Sequence, residues 1–203
     1  MTPTLTRRIA LLGMASALGG CSAVSALNSA AKTLDTYDLM PAVGAKTGRR
    51  SGATLLIARP EASSALGTDR IMIKPDAQSI TYLPNARWSD ELPLVVQSLL
   101  VRSISGTGRI GYVGRSDGGP VPTTALLVRL DAFDVAVLDQ GFEVRVDIAL
   151  TLLDDKAQTV IASRGFAQNA AVAQDDPASI VAGFQRILDV LLPTMADWAV
   201  ARA

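Results

Sequence analysis

The stretch Glu143-Val144-Arg145-Val146-Asp147-Ile148-Ala149-Leu150-Thr151-Leu152-Leu153 (EVRVDIALTLL) decides the fold class. Val144, Val146, Ile148, Leu150 and Leu152 alternate with Glu143, Arg145, Asp147, Ala149 and Thr151. Successive side chains of a strand point to opposite faces, so a period of two held this long predicts a strand with one buried and one wetter face. Asp154-Asp155-Lys156 then supplies a turn, and Thr159 to Ala167 reads as the strand that returns.

Outward from this hairpin, further strands are predicted at Thr54 to Ala58, Ile110 to Val113 and Thr124 to Val135. Arg70 to Lys74 and Ser79 to Leu83 flank Pro75-Asp76-Ala77-Gln78, the pattern of a hairpin. Two helices are expected. Ser89 is placed to cap the first, with Asp90, Glu91 and Pro93 in its opening turn and Leu92, Val95, Val96, Leu99 and Leu100 as its apolar stripe. Asp176-Pro177 is a cap followed by proline at the first helical position. From there Ile180, Val181, Phe184, Ile187, Leu188, Leu191, Met195 and Trp198 keep helical spacing, with Pro193 expected to kink or interrupt the run. These elements predict a single α+β domain, a mainly antiparallel or mixed sheet with two principal helices packed on one face.

The 203 residues carry 19 basic and 19 acidic side chains, no histidine and one cysteine, Cys21. Without histidine, Ser–His–Asp and Cys–His nucleophiles and the usual zinc sites are excluded. Removing Arg7 and Arg8 with the leader described next leaves a slightly acidic chain, which lacks the basic footprint of a nucleic-acid binder. No enzyme, metal or cofactor is therefore expected.

Arg7 and Arg8 precede Ile9 to Leu18, an apolar core of signal-peptide length and too short to span a bilayer. Leu18-Gly19-Gly20-Cys21 follows and resembles the bacterial lipobox, in which the thiol accepts a diacylglyceryl group and the small residues admit the peptidase. Cys21 is thus the expected lipidation site, and several acyl chains on one residue anchor stably. By resemblance to known lipoprotein sorting, Ser22 favours the periplasmic face of the outer membrane over retention at the inner membrane. Thr6-Arg7-Arg8 leaves twin-arginine export open beside the general route. The expected divisions are a leader over 1–20, a lipidated tether over 21–35 and a domain over 36–203, with no later apolar run approaching membrane-spanning length.

Other motifs have plain structural readings. Gly106-Thr107-Gly108-Arg109-Ile110-Gly111 matches the dinucleotide fingerprint, but it follows a helix and precedes a strand, the reverse of the required order. Gly106 is better placed as a helix C-cap. Ser29-Ala30-Ala31-Lys32 fits a serine–lysine pattern but lies in the tether, where a nucleophile could not be preorganised. The acidic pairs Asp90-Glu91, Asp154-Asp155 and Asp175-Asp176 sit at helix starts or turns. Trp198 continues a core stripe. Trp88 either staples the first helix or anchors a partner protein.

Asp69 to Gln97 (DRIMIKPDAQSITYLPNARWSDELPLVVQ) resembles the ABC-type transport auxiliary lipoprotein family, the paraquat-inducible protein C-like proteins among them. The matching pieces are Arg70-Ile71 with Lys74, the Tyr82 strand, and Asn85-Ala86-Arg87-Trp88 before a proline-containing helix; Tyr37-Asp38-Leu39 resembles the family's short Y-x-L strand. The resemblance implies a non-catalytic periplasmic lipoprotein accompanying an ABC transporter whose periplasmic subunit has a mammalian-cell-entry (MCE) domain and which moves lipids between inner and outer membranes. Arg87 and Trp88 become candidate partner-binding residues, and a homo-oligomer is compatible by analogy with annular partners. A structural assembly or regulatory lipoprotein of another envelope machine stays as the alternative. The basic loop Lys46 to Arg50 has no assigned role.

Overall fold

A computed structural model describes residues 34–203. Cys21, the leader, Ser29 to Lys32 and nearly all of the expected tether lie outside the described residues. Asp35–Ala203 forms one compact unit. Its elements, in chain order, are β1 (Asp35–Tyr37), β2 (Ser51–Ile57), β3 (Glu61–Ala62), β4 (Arg70–Lys74), β5 (Thr81–Trp88) and α1 (Leu92–Ser105). They are followed by β6 (Ile110–Arg115), β7 (Thr124–Val137), β8 (Phe142–Asp154), β9 (Thr159–Val172) and α2 (Pro177–Val200).

The sheet is organised by β7. Along one side it pairs antiparallel with β8 from Thr124↔Asp154 to Val137↔Phe142, and β9 extends the meander. Its other side is shared in succession by β2, β3 and β4, all parallel to it. Beyond β2 lies β6, and beyond β4 lie β5 and β1, so the nine strands form one mixed sheet. In β8 all five inward residues, Val144 to Leu152, are buried and their outward neighbours are half-exposed, as the alternation requires. The fold is α+β.

Both helices contribute to the single hydrophobic core. α2 packs on β8 and β9 and against α1. Its approach is close at Gly183, where an added Cβ would lie 2.8 Å from Val172 Cγ2 and 2.9 Å from Val144 Cγ2. Phe184 of α2 stacks on Phe133 of β7 with ring centroids 4.6 Å apart, and Trp88 meets both rings edge-on. Such aromatic contacts add about 0.5–1.5 kcal/mol beyond burial. Trp198 meets Phe166 of β9 in the same edge-on way, so its core reading stands.

Three details depart from the sequence reading. Ser89 does not cap α1: the N-cap is Glu91, without a side-chain cap bond, and the first-turn amide of Leu92 donates to the Thr68 carbonyl instead. A backbone acceptor from a distant loop answers the free helix donor, and the Ser89 hydroxyl donates to Asp38 Oδ1. Pro193 does not interrupt α2. Its missing N–H costs one helix bond, but Leu191, Leu192, Met195 and Ala196 are buried on either side and hold the helix in register. Finally, α2 is long and apolar enough to cross a membrane by length and composition, which the sequence reading had not allowed for. Twelve of its residues are buried within the domain, so that apolarity is spent on the core.

The second cap is as expected: Asp176 accepts from the Ser179 amide, which holds its carboxyl below the ordinary aspartate range, the Ser179 hydroxyl contributing first and the amide second. The 75–78 turn is fastened similarly. Asp76 Oδ1 accepts from the Gln78 and Ser79 amides, and these bonds, the Gln78 amide foremost, lower its pKa. Gly106 is the C-cap of α1 in right-handed conformation; the left-handed residue is Gly108, φ 64°. No nucleotide-cradling helix follows, since β6 begins at Ile110.

Candidate docking surfaces

The residues that carry the family resemblance build a bulge. β4 and β5 pair as Arg70↔Arg87 and Met72↔Tyr82, so β5 holds extra residues between them. Pro84 and Asn85 both face out, Asn85 at φ 57°, and the reset lets Leu83, Ala86 and Trp88 all point inward. Asparagine is among the few L-residues that visit the left-handed region routinely. Arg70 lies along this bulge: its Nη2 donates to the Leu83 carbonyl at 3.4 Å and its guanidinium lies 5.7 Å from the centre of the Tyr82 ring.

Trp88 is 1% exposed. The sequence presents it as a candidate partner-binding residue, and the structure corrects that: at the buried end of β5, against Phe133 and Phe184, its ring is unreachable without opening the core. Arg87, one residue earlier, points the other way by strand alternation. It is exposed, donates from Nε to Thr36 Oγ1 at 3.1 Å, and has Nη1 3.6 Å from Asp69 Oδ2. β1 pairs beside it, Thr36↔Arg87.

A second surface lies over the helices. Residues 38–45 run as a strap across them. Leu39 is buried; Met40 exchanges backbone bonds with the Gln185 amide side chain; the Ala45 amide donates to Asp197 Oδ1 at 2.7 Å. Gly44 lies against Ala196 and Asp197, and Gly106 against Val43. The strap ends in the basic loop. Arg109, its side chain 14% exposed, supports this loop from beneath: Nε donates to the Arg49 carbonyl, and Gly48 packs on its guanidinium. Arg49, Ser51, Arg109 and Val200 to Ala203 line a cleft of about 280 Å³. Arg202 donates to the Trp198 carbonyl at the end of α2.

The third surface is the sheet face turned away from the helices. There Asp134 is fully buried, and Arg145 donates to its Oδ1 from Nε (2.9 Å) and Nη2 (2.6 Å), while Oδ2 has no partner. Lys74, Asp147 and Asn169 border the same shallow cleft. Sequence reasoning missed this pair, because the register that brings β7 and β8 together is not written in either strand alone. Nearby, Arg129 forms a two-pronged pair with Asp131, which holds that carboxyl below its ordinary range. Among the described residues no cluster of three metal-ligating side chains occurs.

The fold is similar to that of protein XCC0632 from Xanthomonas campestris, TM-score 0.75 at 20% identity, over 83% of this chain and 96% of that one. It is also similar to the hypothetical protein CT253 from Chlamydia trachomatis, TM-score 0.51 at 8% identity, over 75% and 98%. These likenesses concern the fold alone. Comparison with curated proteins gives no match. The model of the ABC-type transport auxiliary lipoprotein component matches residues 36–196, nearly the whole described domain, and the chain belongs to that family.

Proposed function

We propose that this chain is a lipid-anchored, periplasm-facing docking component of an ABC transporter whose periplasmic subunit carries an MCE domain, and that the system moves lipids between inner and outer membranes. The observation that carries the reading is the family match over 36–196, whose resembling residues Arg70, Asn85 and Trp88 here build one bulge and core cluster. The sequence supports an anchor at Cys21 through its lipobox, and Ser22 supports the outer membrane. A non-catalytic role agrees with the family's description as a transport auxiliary component. Arg87, the exposed charged member of its motif, stays the candidate contact for a partner.

The test is crosslinking in the native envelope from a photoreactive residue replacing Arg87, followed by identification of what is captured. The MCE-domain subunit is expected. Repeated capture of a β-barrel assembly protein or a cell-wall synthase, with no MCE protein, would overturn the reading. Mass spectrometry of residue 21 tests the anchor separately: a diacylglyceryl-modified cysteine is expected.

A further inference from the structure

The basic loop sits in a segregated patch. Lys46, Arg49 and Arg50 are exposed, and Arg109 and Arg202 extend the positive surface at the C-terminal ends of the two helices. Two carboxylates lie beside it, that of Ala203 at the edge of the cleft and Asp197, which is engaged: Oδ1 accepts from the Ala45 amide and lies 3.8 Å from Arg109 Nη1. Among the described residues no ion pair within 4.0 Å engages Lys46, Arg49, Arg50, Arg202 or the Ala203 carboxylate. In a chain whose acidic and basic residues are equal in number, five cations against two carboxylates are a local excess.

Apolar side chains stand beside it. Val43, 39% exposed, lies against Gly106 at the end of α1, and Met40, 60% exposed, stands further back along the strap at Gln185. Exposed apolar residues next to a cationic cluster are the composition of an interfacial membrane contact, in which the apolar groups enter the headgroup boundary and the cations meet phosphate. Arg109 is preorganised, held beneath the loop by the Arg49 carbonyl, and the cleft beside it has room for a phosphate with water.

We infer that Lys46, Arg49 and Arg50, with Arg109 and Arg202, bind the phosphate headgroups of an anionic phospholipid bilayer and set the domain down on the membrane. The inference rests in part on the lipid-anchor reading. Residues 22–34 can reach at most about 45 Å when fully extended, so acylation at Cys21 keeps the patch near headgroups and raises their effective concentration there. A soluble polyanion gains no such proximity, which favours the bilayer as the occupant.

The experiment uses the chain from residue 21 onward with Cys21→Ser, so that its outcome is independent of acylation. Co-sedimentation is measured with phosphatidylcholine vesicles and with vesicles containing one third phosphatidylglycerol. Binding is expected to the anionic vesicles alone and to fall as salt rises. The triple variant Lys46→Glu, Arg49→Glu, Arg50→Glu should weaken it by on the order of tenfold or more, while Lys156→Glu, in the exposed β8–β9 turn, leaves it unchanged. Equal binding to both vesicle types, no binding, or an unaffected triple variant would each overturn the inference. So would a triple variant that instead loses copurification with a transporter subunit when vesicle binding is absent, since the cations would then face protein. Unmodified residue 21 would strike the anchor reading and leave this result standing.

Discussion

β8 and β5 both place a row of side chains into the same core, and they do so by different means. β8 alternates without a break from Val144 to Leu152, its inner residues all buried. β5 breaks its alternation at Pro84-Asn85, admits a left-handed residue and accepts a hydrogen bond from Arg70 Nη2 at its Leu83 carbonyl. The difference teaches that the family's resembling motif is a device of construction. It aims Trp88 at Phe133 and Phe184, and leaves only Arg87 of that motif turned outward as a charged group. A residue pattern that invites a docking interpretation can be the mark of a backbone irregularity.

The comparison can be tested by substitution. Trp88→Ala should cost most, about 3–5 kcal/mol of unfolding free energy in a denaturant titration. Arg87→Ala should stay within about 0.5 kcal/mol, as an exposed ion pair does. A similar cost for both would mean that Trp88 is not the keystone described. Ile148→Ala, in the regular strand, should cost about 2–5 kcal/mol, while Thr151→Ala, on the outward face of the same strand, changes stability far less. Asn85→Ala should lose about 1–2 kcal/mol by forcing a less tolerant residue into the left-handed region, and Asn85→Gly should be close to neutral. If Asn85→Ala is also neutral, the bulge is not strained toward asparagine and the contrast with β8 weakens.

The two helix starts give a smaller contrast of the same kind. Asp176→Ala should lower the denaturation midpoint, because it removes the bond to the Ser179 amide; Glu91→Ala should change it far less, because its carboxylate caps nothing and loses only an exposed pair with Arg59. The smallest effect expected is acid sensitivity. Asp76, Asp131 and Asp176 all have lowered pKa values in the folded protein. Their contribution is present above the unfolded aspartate value, about 3.9, and is lost as pH falls through the lower folded values. A stability profile flat from neutral pH down to about 4 and falling below it is expected, with the fall reduced in Asp176→Ala.

Much of the architecture was legible because it is local. The alternation of β8, the Asp76 turn, the Asp176-Pro177 cap and the stripe of α2 each depend on neighbours within a few residues. What escaped was long-range: the capping of α1 by Thr68, the continuity of α2 through Pro193, and the Asp134–Arg145 pair across the sheet. The candidate site was read in part. The basic loop was visible as a charge run, but Arg109 looked like a piece of a glycine motif and Arg202 carried no signal, and only folding sets them beside Arg49.

The periodic elements and the family were legible in the sequence, which also shows the lone thiol, Cys21, in a stretch that resembles a lipobox. Periodicity and local capping act over a few residues, so one dimension contains them. The tertiary structure alone decided which face of β5 each motif residue occupies, that Trp88 belongs to the interior, and that five separated cations share one surface. Those outcomes depend on register and helix placement, which are fixed by the burial of many apolar side chains at once and are written in no single segment.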